Sequence, residues 1–348
     1  MVYVNIKSKV IGNYNGKDII EYTLRNKNNT SISILNLGGI ITNITTPDRD
    51  GNLENIVLSF EDFKNYYTNP SYYGAIIGRT AGRIDKGKVT INGKLYKLNK
   101  NYGVNSGHGG NIGFDKKIWD VKEFYNEKSL GVELSLFSKG LEENYPGDLK
   151  VKVVYELNNK NEFFFKVFGE TNEDTLMNIT NHSYFNLSGN YKRDILNHSL
   201  KINSDSFLEI DENGGVTGKV IETYNTPFDF NEFKKISKDI NSEDYQIKLG
   251  NGYDHPFLLN EEKEIILKDE ESGRVLKLET NQESVVIYSM NYYNDLKLKG
   301  DIAPKQRMAI CLETQAPPIG YNEAFKEMSY LKKEDKYYKY TKYTFLTE

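Results

Sequence analysis

The chain has 348 residues, with 45 Lys and Arg against 49 Asp and Glu and a formal net charge of −4. Charges of both signs are mixed along it, which leaves no basic stripe for nucleic acid, and its one cysteine, Cys311, excludes an intrachain disulfide and a Cys-rich metal site. With 26 Tyr and 17 Phe it is rich in residues that favour strands and that can line a sugar site with flat apolar faces. Residues 1–11 hold no apolar core of signal length, and no apolar run approaches membrane-spanning length. A soluble cytoplasmic protein without membrane or nucleic-acid partners is expected.

Residues 2–46 follow period two. Ile19, Tyr22 and Leu24 share one extended run, Ile32, Ile34 and Leu35 the next, and Ile40, Ile41 and Ile44 follow after Gly38-Gly39. Pro47-Asp48-Arg49-Asp50-Gly51 is a turn cluster, residues 55–60 read as a strand, and residues 61–66 as one helical turn. Gly74 to Ile84 packs three glycines, Gly74, Gly78 and Gly82, together with Arg79 and Arg83. Glycine permits a tight backbone path and arginine offers a rigid fork of donors, so the stretch reads equally as a bulged strand with surface arginines or as a binding loop. It lacks the Gly-Lys-Ser/Thr of a P-loop and the spacing of a dinucleotide fingerprint.

Residues 88–98 read as a hairpin around Asn92-Gly93. His108, in Asn105-Ser106-Gly107-His108-Gly109-Gly110, belongs to a loop, a common place for function. Residues 118–125, 132–137, 149–157 and 163–168 continue the strand series. Then comes Thr180-Asn181-His182-Ser183-Tyr184-Phe185-Asn186-Leu187; taken alone, its histidine reads as a hydrogen-bonded core residue. His198 has no acidic neighbour in its strand-like run and reads as structural. Residues 206–210 are strand-like, 214–223 loop-like, and 231–236 a short helix. In Tyr253-Asp254-His255 the acid and the histidine point to opposite faces if the segment is extended; alone the pair favours a local turn. Residues 265–267, 275–279 and 285–288 are further strands, and in Cys311-Leu312-Glu313-Thr314-Gln315 the odd-numbered residues share one face. Many short strands separated by turn signals, without a repeat, a linker or a clean boundary, predict one all-β domain over residues 1–348, a sandwich or barrel.

The four histidines, His108, His182, His198 and His255, include no pair with the close helical spacing of a zincin, so no metal is expected. No nucleophile elbow marks a serine triad. Asp254 and Glu313 supply the two carboxylates that a glycosidase needs, which keeps that chemistry open. A histidine acid with a glutamate base, His182 with Glu313, suits reversible proton transfer between two oxygens of one substrate.

In their order, these stretches resemble the aldose 1-epimerase (galactose mutarotase) family over residues 19–323. The resemblance rests on Gly78-Arg79 with Gly82-Arg83-Ile84, Asn105 with His108-Gly109-Gly110 and Gly113-Phe114, Tyr145-Pro146-Gly147, Thr180 to Leu187, Asp229-Phe230, Tyr253-Asp254-His255 and Leu312-Glu313-Thr314-Gln315. It implies a large antiparallel β-sandwich with a few short helices and a sugar cleft, acting without a cofactor; a monomer or homodimer is expected. It implies that Glu313 is the general base that takes the proton from the C1 hydroxyl and His182 the general acid that protonates the ring oxygen. Arg79, His108 and Asp254 match positions that bind the sugar hydroxyls. The expected substrates are free aldohexoses such as galactose and glucose. A hexose-6-phosphate epimerase and a non-catalytic sugar-binding protein on the same scaffold are the alternatives. The chain departs from the family pattern at Gly107, where Leu is usual, at Gly82, where Asn is common, at Pro317-Pro318-Ile319-Gly320, where Pro-Asp-Ala is common, and at Val286, a polar position in some members. These departures bear on sugar preference and leave the acid and the base in place.

Overall fold

The computed structural model describes residues 5–348; residues 1–4, with Val2 at the start of the first period-two stretch, lie outside the described residues. Nine strands form the largest sheet, in the spatial order Asp120–Tyr125, Ser129–Ser138, Leu149–Asn158, Glu162–Thr171, Tyr337–Thr347, Arg274–Thr280, Glu264–Asp269, Ser199–Ile202 and Lys234–Lys235. Six more form a second sheet, in the order Tyr184–Phe185, Ile310–Gln315, Ser284–Tyr288, Asp254–Leu258, Ser206–Ile210 and Val216–Glu222. An N-terminal sheet runs through Asn5–Tyr14, Lys17–Arg25, Ser31–Leu35, Ile41–Pro47 and Leu53–Asn55 in sequence order. Neighbouring strands in all three pair antiparallel, as expected for the fold class.

Period-two patterning explains the layering. In Leu149–Asn158 every second residue is buried, and so are Phe163, Phe165 and Val167 on the adjoining strand. These side chains meet Phe207, Phe257, Val285, Ile287, Ile310 and Leu312 from the six-stranded sheet in one apolar core. Each large apolar side chain buried there contributes roughly 1.5–3 kcal/mol relative to its exposed state. Successive residues of a strand face opposite sides. The six-stranded sheet therefore turns Asp254, Pro256, Val286, Tyr288, Glu313 and Gln315 away from the core and toward a cleft.

The hairpin at Asn92-Gly93 forms as predicted. Lys88–Ile91 pairs with Lys94–Lys97, and both turn residues have positive φ, 49° and 73°, which Asn and Gly adopt with least strain. Several boundaries differ from expectation. Residues 55–60 are mostly irregular, tied by isolated bridges at Val57 and Phe60. Residues 216–222 form an edge strand in place of a loop. The helix expected over 231–236 is a two-residue strand followed by a 3-10 turn, Ile236–Lys238. The helical turn near residue 61 falls at Phe63–Tyr67. An α-helix at Tyr245–Gly250 starts where the Asp244 carboxylate accepts the Gln246 and Ile247 N–H groups. Among the described residues no helix is long and apolar enough to cross a membrane.

Candidate active site

The strand Ile310–Gln315 fixes one wall of the cleft. Its register with Ser284–Tyr288 sets Val286 opposite Glu313, and its register with Tyr184–Phe185 sets Tyr184 opposite Cys311. The His182 segment is held from both ends. Thr180–Asn181 pairs with Ile76–Ile77, and the His182 N–H donates to Ala75 O at 2.9 Å. Its own carbonyl accepts the Gly74 N–H at 3.0 Å, and two residues later the chain joins the strand that carries Glu313. Tyr72 and Tyr184 stack on the imidazole, with ring centroids at 5.8 and 5.1 Å. This frame leaves His182 Nε2 3.4 Å from Glu313 Oε1, both side chains almost entirely buried.

His108 approaches from the glycine loop. Its N–H donates to Gly82 O at 3.0 Å, and its ring lies 5.4 Å from that of His182 and 4.9 Å from that of Tyr72. The loop turns sharply enough that a Cβ on Gly109, at φ 87°, would sit 1.8 Å from Gly78 O, so only glycine fits. Asp254, on the strand Asp254–Leu258, accepts from Arg83 Nη2 at 3.2 Å, while Arg83 Nη1 donates to Gly214 O at 2.9 Å. His182, Glu313, His108, Asp254 and Arg83 line one cavity of about 370 Å³, within the roughly 300–1,000 Å³ of small-molecule sites. Val286 lies on its wall. Glu313 Oε2, His108 Nδ1 and Gln315 Oε1 are buried there without a hydrogen-bond partner among the described residues. Buried polar atoms are rarely left unpaired, and such atoms converging on a cleft are a feature of sites that bind polar ligands.

Burial sets the protonation states. Desolvation, then the charge of Asp254, pushes the Glu313 carboxyl well above its ordinary range, against the pull of Arg83. Desolvation holds the His182 imidazole down to about 4. His108 lies well below its usual value because it is buried and because His182 and Arg83 are near. A neutral imidazole at His108 offers one donor and one acceptor to a hydroxyl-rich ligand. The Arg83 guanidinium loses solvation, yet Asp254 and Tyr102 hold it fully charged.

Four of the five residues expected at the site converge there; Arg79 does not. Its buried guanidinium donates to the carbonyls of Ser138, Lys139, Pro146 and Gly147 and to the hydroxyls of Ser138 and Thr175, outside the cleft. The arginine of the cleft is Arg83. Sequence reasoning also passed over Tyr72, which reaches the site through a left-handed turn at φ 57°. His198 is buried, and its Nε2 accepts the Leu187 N–H at 2.9 Å. His255 is buried beside Phe228, its Nδ1 accepting the Asp254 N–H at 3.1 Å. Among the described residues, His182, Cys311 and Glu313 form the one group of three whose metal-ligating atoms all lie within 4.8 Å of one another. Within that group the His182 ring nitrogens already face protein partners, Nδ1 the Cys311 sulfur and Nε2 the Glu313 carboxylate.

A family model described as aldose 1-epimerase matches residues 21–344. The chain belongs to the aldose 1-epimerase family. It is 35% identical over 327 residues to a galactose mutarotase of Sus scrofa and 34% identical over 331 residues to an aldose 1-epimerase of Streptococcus thermophilus, covering 92% of each chain in both cases. The crystal structure of a galactose 1-epimerase from Lactobacillus acidophilus superposes with a TM-score of 0.89 at 30% identity, covering 99% of both chains. The family match extends beyond residue 323 into the strand Tyr337–Thr347, which crosses the middle of the nine-stranded sheet.

Proposed function

We propose that this protein interconverts the α and β anomers of free aldohexoses such as galactose and glucose. The observation that carries the reading is the His182–Glu313 pair, 3.4 Å apart on the floor of a cleft lined by unpartnered polar atoms. Glu313, as carboxylate, takes the proton from the C1 hydroxyl; His182, as imidazolium, gives a proton to the ring oxygen. The C1–O5 bond breaks, the open-chain aldehyde turns about C1–C2, and closure with the two transfers reversed yields the other anomer. Asp254 with its Arg83 partner, His108 and Gln315 bind the remaining hydroxyls. The shared core of the two larger sheets supports one working unit over the whole chain.

The opposed pKa shifts fit this chemistry through proton count. The acid–imidazole form and the carboxylate–imidazolium form each hold one proton between the two side chains. Between the two limits of titration pH does not alter their ratio, so the reacting form is a fixed fraction of the enzyme. Hydrogen bonds from the C1 hydroxyl to the carboxylate and from the imidazolium to the ring oxygen favour the charged form once sugar is bound.

Among the described residues Arg83 is the only Lys or Arg lining the cleft, and it is committed to Asp254 and Gly214 O. A phosphorylated hexose would call for further cations, so the site favours unphosphorylated sugars. Polarimetry on fresh α-D-galactose and α-D-glucose tests the proposal. Faster decay of rotation than the blank is expected with wild type and not with Glu313→Gln. No acceleration on either sugar, with activity on the 6-phosphates, would overturn it.

A further inference from the structure

We propose that Cys311 is a positioning residue for His182: its sulfur accepts a hydrogen bond from Nδ1–H and so reserves Nε2, the nitrogen facing Glu313 and the cleft, for the proton that moves. The proposal rests on the acid–base reading above. Cys311 shares its strand and its strand face with Glu313, two residues away, and its Sγ lies 3.5 Å from His182 Nδ1. Both residues are buried, so neither finds a substitute partner in water. Burial also raises the thiol pKa well above its usual value and keeps the S–H intact. The backbone carbonyl of His182 accepts the Gly74 N–H at 3.0 Å and keeps a second lone pair, so the alanine variant below measures whether it can replace the sulfur.

The placement matters because a neutral imidazole carries one hydrogen, and the hydrogen bond at one nitrogen decides what the other can do. With hydrogen on Nε2, the ring would present N–H to a protonated Glu313 and have no lone pair to receive its proton. With hydrogen on Nδ1, the Nε2 lone pair faces Glu313 Oε1 at 3.4 Å. One transfer then moves the carboxyl proton from oxygen to Nε2 and produces carboxylate and imidazolium together. When Nε2 passes that proton to the ring oxygen, the imidazole returns to the same Nδ1–H form, ready for the reverse step.

The test is ¹⁵N NMR of protein labelled at histidine, with the His182 signals assigned through His182→Asn, beside polarimetric kinetics. In wild type His182 is expected as the Nδ1–H form at neutral pH. Cys311→Ala, which removes the acceptor, is expected to populate the Nε2–H form and to lower kcat about tenfold, as loss of an outer partner typically does. KM should stay within about twofold, since no sugar contact is lost. Cys311→Ser, which restores an acceptor, should recover both readouts, and Cys311→Val replaces the alanine variant if that one fails to fold. An alanine variant that keeps the Nδ1–H form and full kcat would overturn the proposal. So would a serine variant as impaired as alanine. Absence of mutarotation in wild type would remove the reaction assigned above, while the tautomer measurement would still decide what Cys311 does.

Discussion

Lowering the pH from neutral to about 5 is expected to leave most of the catalytic efficiency intact, where a histidine-dependent enzyme would ordinarily lose nearly all of it. In the proposed mechanism the reacting pair needs one proton between Glu313 and His182. On the acid side that state ends when the pair takes up a second proton, and burial delays this by holding His182 at about 4. An imidazole at the usual value of about 6.5 would leave roughly 3% of the pair singly protonated at pH 5, whereas one at about 4 leaves roughly 90%. On the alkaline side the state ends when the last proton leaves, and the raised Glu313 carboxyl moves that limit upward from the ordinary carboxylate range. A broad plateau is expected in place of a narrow bell. The assay is kcat/KM for α-D-galactose by polarimetry from about pH 4 to pH 9, with the blank rate subtracted at each pH, because this ratio reports the free enzyme. An acid limb centred near 6.5, lost in His182→Asn, would refute the reasoning, since it would mean that burial does not govern the imidazole.

Glu313→Gln and His182→Asn should each lower kcat by about 10²–10⁴-fold, with sugar binding by calorimetry largely retained. Asp254→Ala should raise KM and slow turnover, because it removes the proposed sugar contact and frees Arg83 from its 3.2 Å partner; an unchanged KM would count against the binding assignment. Arg79→Met should leave the KM of the folded enzyme unchanged and destabilise the fold in urea titration by at least roughly 1–3 kcal/mol, the cost of one buried carbonyl left without a donor. Stability should fall as the pH drops from about 6.5 to about 5. His198 and His255 are held neutral by burial, at about 4 and about 3, while the unfolded chain protonates them in that window. Each contributes a loss of about 2 kcal/mol at pH 5, measurable as a lower urea midpoint.

The layered fold was legible because its signal is local. Alternation in residues 149–157 and 163–168, and the Asn92-Gly93 turn, each fix a strand or hairpin without help from distant residues. His182 and Glu313 were legible through the motifs around them, although nothing in the sequence alone says that they meet. The choice between Arg79 and Arg83 was not. Both follow a glycine in one compact stretch, and only the path of residues 78–84 sends the first into the loop at 138–147 and the second into the cleft. Residues 214–223 read as loop-like, yet pairing with Ser206–Ile210 makes Val216–Glu222 a strand. Cys311 carries no motif for a tautomer-setting thiol; its place beside Nδ1 follows from the pairing of Tyr184 with Cys311 across two strands far apart in sequence.

The alternation along the six-stranded sheet also divides what selection can alter. Leu312, Ile287 and Phe257 hold the two larger layers together, while their immediate neighbours Glu313, Val286 and Pro256 meet whatever enters the cleft. Exchanging Val286 or Pro256 changes the surface offered to a sugar without repacking the interior. Insertion of a single residue into one of these strands would instead exchange the two sets, turning an oily side chain toward the ligand and a carboxylate into the oil. Preference among sugars can therefore drift by point substitution, while the length of each strand is held fixed.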